Sequence, residues 1–233
     1  PIGSFFVYEA DGLFQSDAEI QNYKNDRGEL LQPNAKPGDI RFKDLNGDGV
    51  INSDDRDFKG NPLPDCSMGL TLGFNYKNFV SAFFQGVFGN EVYNLTNYLG
   101  EFYNQAQYNK NSTILDAWRP DNTDTDIPRV TLDDPNNNIR PSTYYIHNAS
   151  FVRLKNLKVG YTLPDKVASK LKLKRTYIYL QGQNLFTITG YEGIDPEVGL
   201  QSYSSENRNL DMGVDRGVYP LPRTFTLGVN VSF

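Results

Sequence analysis

Oxygen-bearing residues recur at alternate positions in one short stretch of the sequence. From residue 44 the chain reads Asp-Leu-Asn-Gly-Asp-Gly-Val-Ile-Asn-Ser-Asp-Asp. Such alternation lets several oxygens converge on one hard cation, and Gly49, at position 6 of the stretch, permits the sharp turn that this needs. The spacing predicts a structural calcium loop over 44–55, with ligands at positions 1, 3, 5, 7, 9 and 12: Asp44, Asn46, Asp48, the Val50 carbonyl, Asn52 and Asp55.

The last ligand position departs from the EF-hand pattern. Asp55 stands where a bidentate Glu is usual, which is similar to dockerin-type or extracellular calcium loops and favours a structural site over a regulatory sensor. A solvated, Asx-rich turn without metal is the alternative interpretation. No nucleophile or paired general acid and base accompanies the loop, so stapling of a surface loop is favoured over catalysis.

The composition leaves little material for enzymatic chemistry. The one histidine, His147, is expected in a loop or at a rim, and the one cysteine, Cys66, is expected to be a small buried side chain where a strand begins. The net charge is -5 without long runs of either sign, which argues against a nucleic-acid partner. We predict no catalytic residue and expect that the protein is not an enzyme.

Alternating apolar and polar residues around the loop indicate an all-β chain. With 15 Tyr, 15 Phe and 20 Gly, the composition suits short strands with aromatic faces joined by polar turns. The alternation over 70–76 and 79–88 predicts one hairpin. The alternation over 157–163, followed by a basic connection and a strand from about 176 to 186, predicts a second hairpin.

The clearest alternation lies at the end of the sequence. Apolar side chains at Phe225, Leu227, Val229, Val231 and Phe233 alternate with small or polar ones up to the last residue. Period 2 alone fits a sandwich core as well as a lipid-facing strand. Ending on an aromatic residue inside a strand is typical of outer-membrane barrels. We therefore predict the C-terminal portion of a large antiparallel transmembrane β-barrel, whose strands need only about 9 to 11 residues each.

The longest connections carry most of the remaining polar and aromatic residues. Barrels of this kind place short turns on the periplasmic side and long ones outside, so 90–150 and 189–223 are predicted extracellular loops. One short helix is predicted over Asp17–Lys24, with Ser16 or Asp17 as N-cap. Loop aromatics could stack on sugar rings or peptide side chains, or else form an interface girdle or loop packing: Tyr93, Tyr98, Phe102, Tyr103, Tyr108 and Trp118.

Six stretches carry a family resemblance over nearly the whole chain. They read PGDIRFKDLNGDGVI from Pro37, GNPLP from Gly60, FVRLKNLKVGYTLP from Phe151, GQNLFT from Gly182, GIDPE from Gly193 and YPLPRTFTLGVNVSF from Tyr219. In these stretches the sequence resembles the SusC/RagA-like TonB-dependent transporters of Bacteroidetes-type outer membranes. The resemblance implies a barrel of about 22 strands plugged by an N-terminal domain, with residues 1–233 forming the C-terminal part of the barrel and the plug lying outside this chain.

The same resemblance implies partners and a location. A SusD-like surface lipoprotein would cover the outer mouth, bind glycan or peptide oligomers and pass them inward, while the TonB complex acts on the plug. The expected location is the cell outer membrane, together with the N-terminal remainder of the transporter, either in one continuous polypeptide or after cleavage at an exposed loop.

One rival interpretation uses the same residues. A surface or soluble carbohydrate-binding β-sandwich with a structural calcium would also need strands, exposed aromatics and the loop over 44–55. The sequence motifs fit both glycan and peptide cargo, and we assign no substrate-binding residue.

Overall fold

The fold is mainly β-structure. The computed structural model describes residues 3–76, 78–101, 109–170, 172–199 and 212–232. The chain divides into two compact units, which we name the loop unit (Pro1–Pro62, Glu91–His147 and Val198–Gly217) and the sheet unit (Leu63–Asn90, Asn148–Glu197 and Val218–Phe233). Within the described ranges, no helix has the length and apolar character required to cross a membrane.

The elements are short outside the sheet unit. The strands are β1 (Phe5–Tyr8), β2 (Ala10–Leu13), β3 (Ile40–Phe42), β4 (Arg56–Lys59), β5 (Cys66–Tyr76), β6 (Asn78–Phe88), β7 (Glu91–Asn94), β8 (Ile146–Asn148), β9 (Phe151–Thr162), β10 (Arg175–Gln183), β11 (Thr187–Thr189), β12 (Val214–Asp215) and β13 (Thr224–Ser232). The helices are α1 (Asp17–Asn22), α2 (Leu95–Glu101) and α3 (Asp165–Lys170), and short 3-10 turns cover Ser53–Asp55, Ser112–Asp116 and Thr143–Tyr145.

The sheet unit is one antiparallel sheet with strand order β13-β10-β9-β6-β5, and β11 pairs with the first part of β9. Both predicted hairpins are present, as β5 with β6 and β9 with β10. Strand β9 begins at Phe151, earlier than predicted, because a bulge at Lys155 interrupts the period-2 pattern on which the prediction rested. Strand β10 ends at Gln183, before the predicted end, because Asn184 takes a left-handed backbone conformation (φ 52°).

One face of this sheet is apolar from edge to edge. Side chains that oppose each other in the strand register share a face, and this face carries Met68, Leu70, Leu72, Phe74, Val80, Ala82, Phe84, Val152, Leu154, Leu157, Val159, Tyr161, Ile178, Leu180, Phe225, Leu227, Val229 and Val231. Much of it is uncovered, with Leu70 at 55%, Leu180 at 53% and Leu227 at 74% exposure. An uncovered apolar band of this extent suits the hydrocarbon of a bilayer.

The opposite face is polar and aromatic. The ammonium group of Lys158 lies 4.1 Å from the centroid of the Tyr179 ring and 5.4 Å from that of Tyr177. These two rings stack with centroids 5.7 Å apart. They lie flat because Gly160 and Gly228 have no side chain: a Cβ at Gly160 would overlap Tyr177, and one at Gly228 would overlap Tyr179. The glycines therefore fix the height of the aromatic layer on this face.

The connections sort by length onto the two ends of the sheet. The β5–β6 turn and the β9–β10 connection, which contains α3, leave one end. The connections from β6 to β9 and from β10 to β13 leave the other end and include the two predicted long loops. The antiparallel topology thus confirms that both long loops belong to the same side.

The loop unit has its own small core. Buried Phe5, Val7, Ile40, Phe42, Tyr93 and Tyr145 form one cluster beneath the pairs β1–β4 and β2–β3 and the three-stranded sheet β12-β7-β8. Helix α1 begins as predicted, with the Ser16 hydroxyl accepting the Glu19 N–H at 3.3 Å. It ends at Asn22, two residues early, because Lys24 pairs with Leu30 in an isolated bridge.

The close contact of Gly160 and Gly228 with the two tyrosine rings gives a direct stability test. We expect Gly228→Val and Gly160→Val each to lower the free energy of unfolding by about 1–3 kcal/mol, because the new side chain must displace a tyrosine ring. Gly73→Val is the matched control, since Gly73 lies in β5 on the same face and a Cβ there would meet nothing within 4 Å. Thermal unfolding of the detergent-solubilised full-length protein measures the difference, and equal losses at Gly228 and Gly73 would contradict the proposed ring support.

Candidate functional site

The predicted metal loop is closed at its base by two carboxylates. Asp44 accepts the N–H of Gly47 at 2.7 Å and of Gly49 at 2.8 Å. Asp55 is fully buried, and its Oδ1 accepts the Leu45 N–H at 2.9 Å. Its Oδ2 accepts the Asn52 N–H at 2.7 Å. The acid at position 12 therefore fastens the two ends of the loop through backbone hydrogen bonds.

The tip of the loop is organised around Asp48. The side-chain amides of Asn46 and Asn52 both donate to Asp48 Oδ2, at 3.1 and 3.2 Å, and Asn52 also donates to the Val50 carbonyl at 3.3 Å. The Val50 N–H, followed by the Asn46 amide, lowers the pKa of the Asp48 carboxyl. Two amide groups thus contact oxygens that a cation would use.

Of the six predicted ligands, the structure brings four together: Asn46, Asp48, Val50 and Asn52. Asp55 faces backbone amides, and within the described ranges no group of three or more His, Cys, Asp or Glu residues is arranged to hold a metal ion. The calcium site therefore stays a prediction, and the loop geometry is compatible with a self-closed turn.

A neighbouring turn buttresses the loop, which sequence reasoning missed. The Asn25 side chain donates to the Gly49 carbonyl at 3.2 Å and accepts the N–H groups of Arg27 and Glu29, at 3.0 and 2.9 Å. Gly49 has φ 88°, and a Cβ on it would collide with Asn25. The glycine at position 6 is therefore required both by the turn and by this close approach.

A buried polar network holds another long-loop segment against β3. Arg129 pairs with the fully buried Asp39 at 2.6 and 3.2 Å, and Asn138 donates to the same carboxylate at 2.9 Å. The Ile40 N–H donates to Asn138 at 2.9 Å. The partners are about a hundred positions apart in sequence, and no local motif announces them.

In the sheet unit, one buried arginine makes several contacts at the end of the sheet where the long connections leave. Arg153 donates to Thr187 at 2.7 Å and to Glu197 at 2.9 Å, and it forms an ion pair with Asp195. The Leu221 N–H donates to Asp195 at 3.2 Å. One guanidinium group and its acid thus join β9, β11 and both ends of the connection that leads to β13.

The ionisation of Asp195 follows from these contacts. Burial alone would raise its pKa, but the Glu197 N–H and the Arg153 guanidinium outweigh burial and lower the pKa of the carboxyl. The resulting stabilisation is present above the ordinary pKa and is lost as pH falls through the lowered value.

The structure places Cys66 and His147 differently from the expectations based on the sequence. Cys66 is exposed, which contradicts the expected burial, because it starts β5, the edge strand of the described sheet. His147 lies in the short strand β8 and is half-buried, so it is not in a loop, and the expectation of a rim position stays a prediction.

The candidate ligand aromatics are mostly structural. Tyr93 and Trp118 are buried, and the Trp118 indole N–H donates to Gln15 at 2.8 Å. Tyr98 packs edge-on against Tyr145 with centroids 5.4 Å apart. These contacts support the loop-packing alternative for the three residues, whereas the other candidates, Phe102, Tyr103 and Tyr108, lie outside the described residues.

The combined features define a class of protein. An antiparallel sheet that is apolar on one face and polar on the other, with short turns at one end and long polar connections at the other, is a segment of an outer-membrane-type β-barrel wall. A β-sandwich needs a second sheet packed over the apolar face, and among the described residues much of that face is exposed.

Comparison with known proteins identifies the family. No protein-family model matches the chain. TonB-dependent receptor P3 of Formosa agariphila is 39% identical over 233 residues, which are 100% of this chain and 22% of that protein. TonB-dependent receptor SusC of Bacteroides thetaiotaomicron is 31% identical over 212 residues, which cover 88% of this chain and 19% of that protein.

Solved structures agree with this result. The RagAB peptide importer in its open-open state superposes with a TM-score of 0.71 at 25% identity, over 99% of this chain and 22% of the matched chain. The chain belongs to the SusC/RagA-like TonB-dependent receptors and corresponds to the C-terminal part of the barrel. It spans about a fifth of the length of the curated relatives that it matches.

The buried arginine predicts a large local effect. Arg153→Met removes one partner of an ion pair whose side chains are only 3% and 7% exposed. We therefore expect a loss of about 3–5 kcal/mol in the local stability of this end of the sheet. The expected readout is faster proteolytic cleavage in the connection between β10 and β13, which loses its anchor.

Lys155→Met is the matched control for Arg153→Met. Lys155 contacts the same Glu197 at 2.8 Å, but the two side chains are 20% and 38% exposed, so its loss should cost only about 0–1 kcal/mol. Equal cleavage rates in the two variants would show that the buried ion pair does not anchor the connection.

Proposed function

We propose that this chain forms part of an outer-membrane importer that takes up oligomeric nutrients, glycan or peptide. The observation that carries the proposal is the apolar face that runs across all five long strands of the sheet unit, opposed by a polar face. Such a wall separates lipid from an aqueous or protein-filled lumen. The relatives named as TonB-dependent receptors and the RagAB peptide importer support the same function.

The proposed mechanism is gated passage without bond-making. The sheet would supply barrel wall, and the long connections would be extracellular loops. A SusD-like lipoprotein would cover that mouth and deliver oligomers, and the inner-membrane TonB complex would act on a plug formed by the N-terminal remainder of the transporter. The protein would reside in the outer membrane and perform no catalysis.

Cell fractionation combined with uptake assays tests this proposal. We expect the full-length protein in outer membranes, in complex with a plug-bearing portion and a surface lipoprotein, and we expect uptake of labelled oligomers that stops when TonB is deleted. A protein found only in the soluble fraction, without these companions, would overturn the importer and favour a binding module.

Adjacent residues on β13 supply a matched pair for the membrane assignment. Leu227 lies on the apolar face and Thr226 on the polar face. An arginine on a lipid face costs about 2–4 kcal/mol near the bilayer midplane, so Leu227→Arg should reduce the folded protein in outer membranes while Thr226→Arg is tolerated. Equal tolerance of both arginines would exclude a lipid contact at Leu227.

We also propose that the 44–55 loop binds calcium as a structural ion, through the residues Asp44, Asn46, Asp48, the Val50 carbonyl, Asn52 and Asp55. Support comes from the order of these oxygen-bearing residues and from the left-handed Gly49 at position 6. Binding would replace the amide contacts of Asn46 and Asn52 on Asp48 with contacts to the ion.

Calcium titration of the full-length protein checks the metal proposal. We expect heat of binding in wild type, its loss in Asp48→Ala, and no loss in Asp54→Ala, which removes an acid from the same loop at a position outside the ligand pattern. Saturating calcium should also slow proteolysis of the loop relative to chelator. Wild-type protein that shows neither heat nor protection would establish an ordinary Asx-rich turn.

A further inference from the structure

One face of the β1–β4 ribbon in the loop unit combines aromatic rings with guanidinium groups. In the register Phe6 opposes Phe58 and Tyr8 opposes Arg56, so these four side chains share a face. Arg140 adds a second guanidinium group, centred 5.1 Å from the Tyr8 ring centroid. We call these five residues the aromatic–guanidinium face.

Within the described part of this chain, other residues cover only about half of each phenylalanine of this face. Phe6 is 46% exposed and Phe58 is 52% exposed, and their ring centroids are 5.1 Å apart. By contrast Phe5 and Val7, which alternate with them on β1, are buried in the core cluster. The core therefore explains one side of the ribbon and leaves the exposed aromatic pair without a packing role in the loop unit.

The two arginines contribute charge that their own contacts do not neutralise. Arg56 lies 4.9 Å above the Phe6 ring, and its Nε donates to the Ser53 carbonyl at 3.2 Å. Arg140 donates to the carbonyls of Asn137 and Asn136, at 3.0 and 2.9 Å. All ion pairs that the described residues form lie elsewhere, so neither guanidinium group is matched by a carboxylate within 4.0 Å.

The two carboxylates that act electrostatically on Arg140 already accept hydrogen bonds from other groups. Asp134 and Asp55 act electrostatically on Arg140, but Asp134 accepts the N–H groups of Asn138 and Ile139, and Asp55 is fully buried against backbone amides. Both arginines are half-buried, and Arg140 also lies 4.4 Å from the centroid of the buried Phe42 ring. A guanidinium group stacked on an aromatic ring can still donate to planar oxyanions through its outer N–H groups. The face is therefore chemically complementary to carboxylate or sulfate groups.

We propose that the aromatic–guanidinium face binds an anionic oligosaccharide. Sugar rings would lie against Phe6 and Phe58, and carboxylate or sulfate substituents would pair with Arg56 and Arg140. The inference rests on the proposed importer function and names the class of oligomer that the importer takes.

The ribbon favours a sugar over an added peptide strand. Strand addition needs free N–H groups along an edge. The Tyr8 N–H already donates to the Pro141 carbonyl at 3.0 Å, and the Phe58 N–H donates to Asp57 at 2.8 Å. A peptide main chain would meet occupied donors at both places, whereas ring stacking and guanidinium contacts need neither of them.

Calorimetric titration of the full-length transporter in detergent tests the proposal. The probes are a galacturonate tetramer, neutral maltotetraose and a glutamate tetrapeptide. We expect the galacturonate tetramer to bind, Arg56→Gln to weaken it at least tenfold, and Phe58→Leu to weaken it several-fold through loss of the flat ring. Raising the salt concentration should weaken binding further in the wild type than in Arg56→Gln.

Arg27→Gln is the matched control, because Arg27 is an exposed arginine of the same unit outside this face. Equal affinity in Arg56→Gln and Arg27→Gln, or equal binding of the neutral tetramer, overturns the proposal. Preference for the glutamate peptide also overturns it and indicates a peptide occupant.

Uptake measured in cells that carry the wild-type transporter or the same variants separates the two proposals. Uptake of neutral sugars or peptides that is unchanged by Arg56→Gln, without galacturonate binding, rejects the anionic-sugar site and retains the importer. Galacturonate binding in a strain that imports no oligomer retains the site and rejects the importer.

Discussion

The hydrogen-bonded register of the five long strands is the constraint on which the other features depend. In hydrocarbon every backbone N–H and C=O needs a partner, which an antiparallel ladder supplies. Because side chains alternate with period 2, the same register places Leu180 on the apolar face beside Val159 and Leu227, while Lys158 lies on the opposite face. A slip of one residue would move Lys158 into the apolar band, so the alternation in each strand stabilises the pairing of its neighbours.

The ladder also determines which segments need other means of support. Both long connections leave the same end of the sheet, beyond the main-chain ladder of the five long strands. They are held by buried ion pairs and amide networks, such as Arg153 with Asp195 and Arg129 with Asp39. A buried pair of this kind fixes geometry more than it adds net stability, because desolvation offsets much of the attraction.

Features that depend on local alternation could be predicted from the sequence, whereas features that depend on distant contacts could not. The β13 pattern from Phe225 to Val231 and the helix cap at Ser16 are visible within a few residues, and the structure confirms them. The bulge at Lys155 was missed because it breaks the period that reveals a strand. The Arg153–Asp195 pair, 42 positions apart, gives no local signal. Both residues lie in stretches that carry the family resemblance, but those stretches do not show that the two side chains meet.

The 44–55 loop shows the same limit at the level of a site. Its sequence specifies which oxygens are available and in what order, but the destination of each lone pair depends on the fold. Asp55 is directed to the amides of Leu45 and Asn52, and Asp48 to those of Asn46 and Asn52. These hydrogen bonds close the loop on itself. A bound cation would therefore exchange existing hydrogen bonds for stronger ionic contacts, so its effect would be to rigidify a preformed turn.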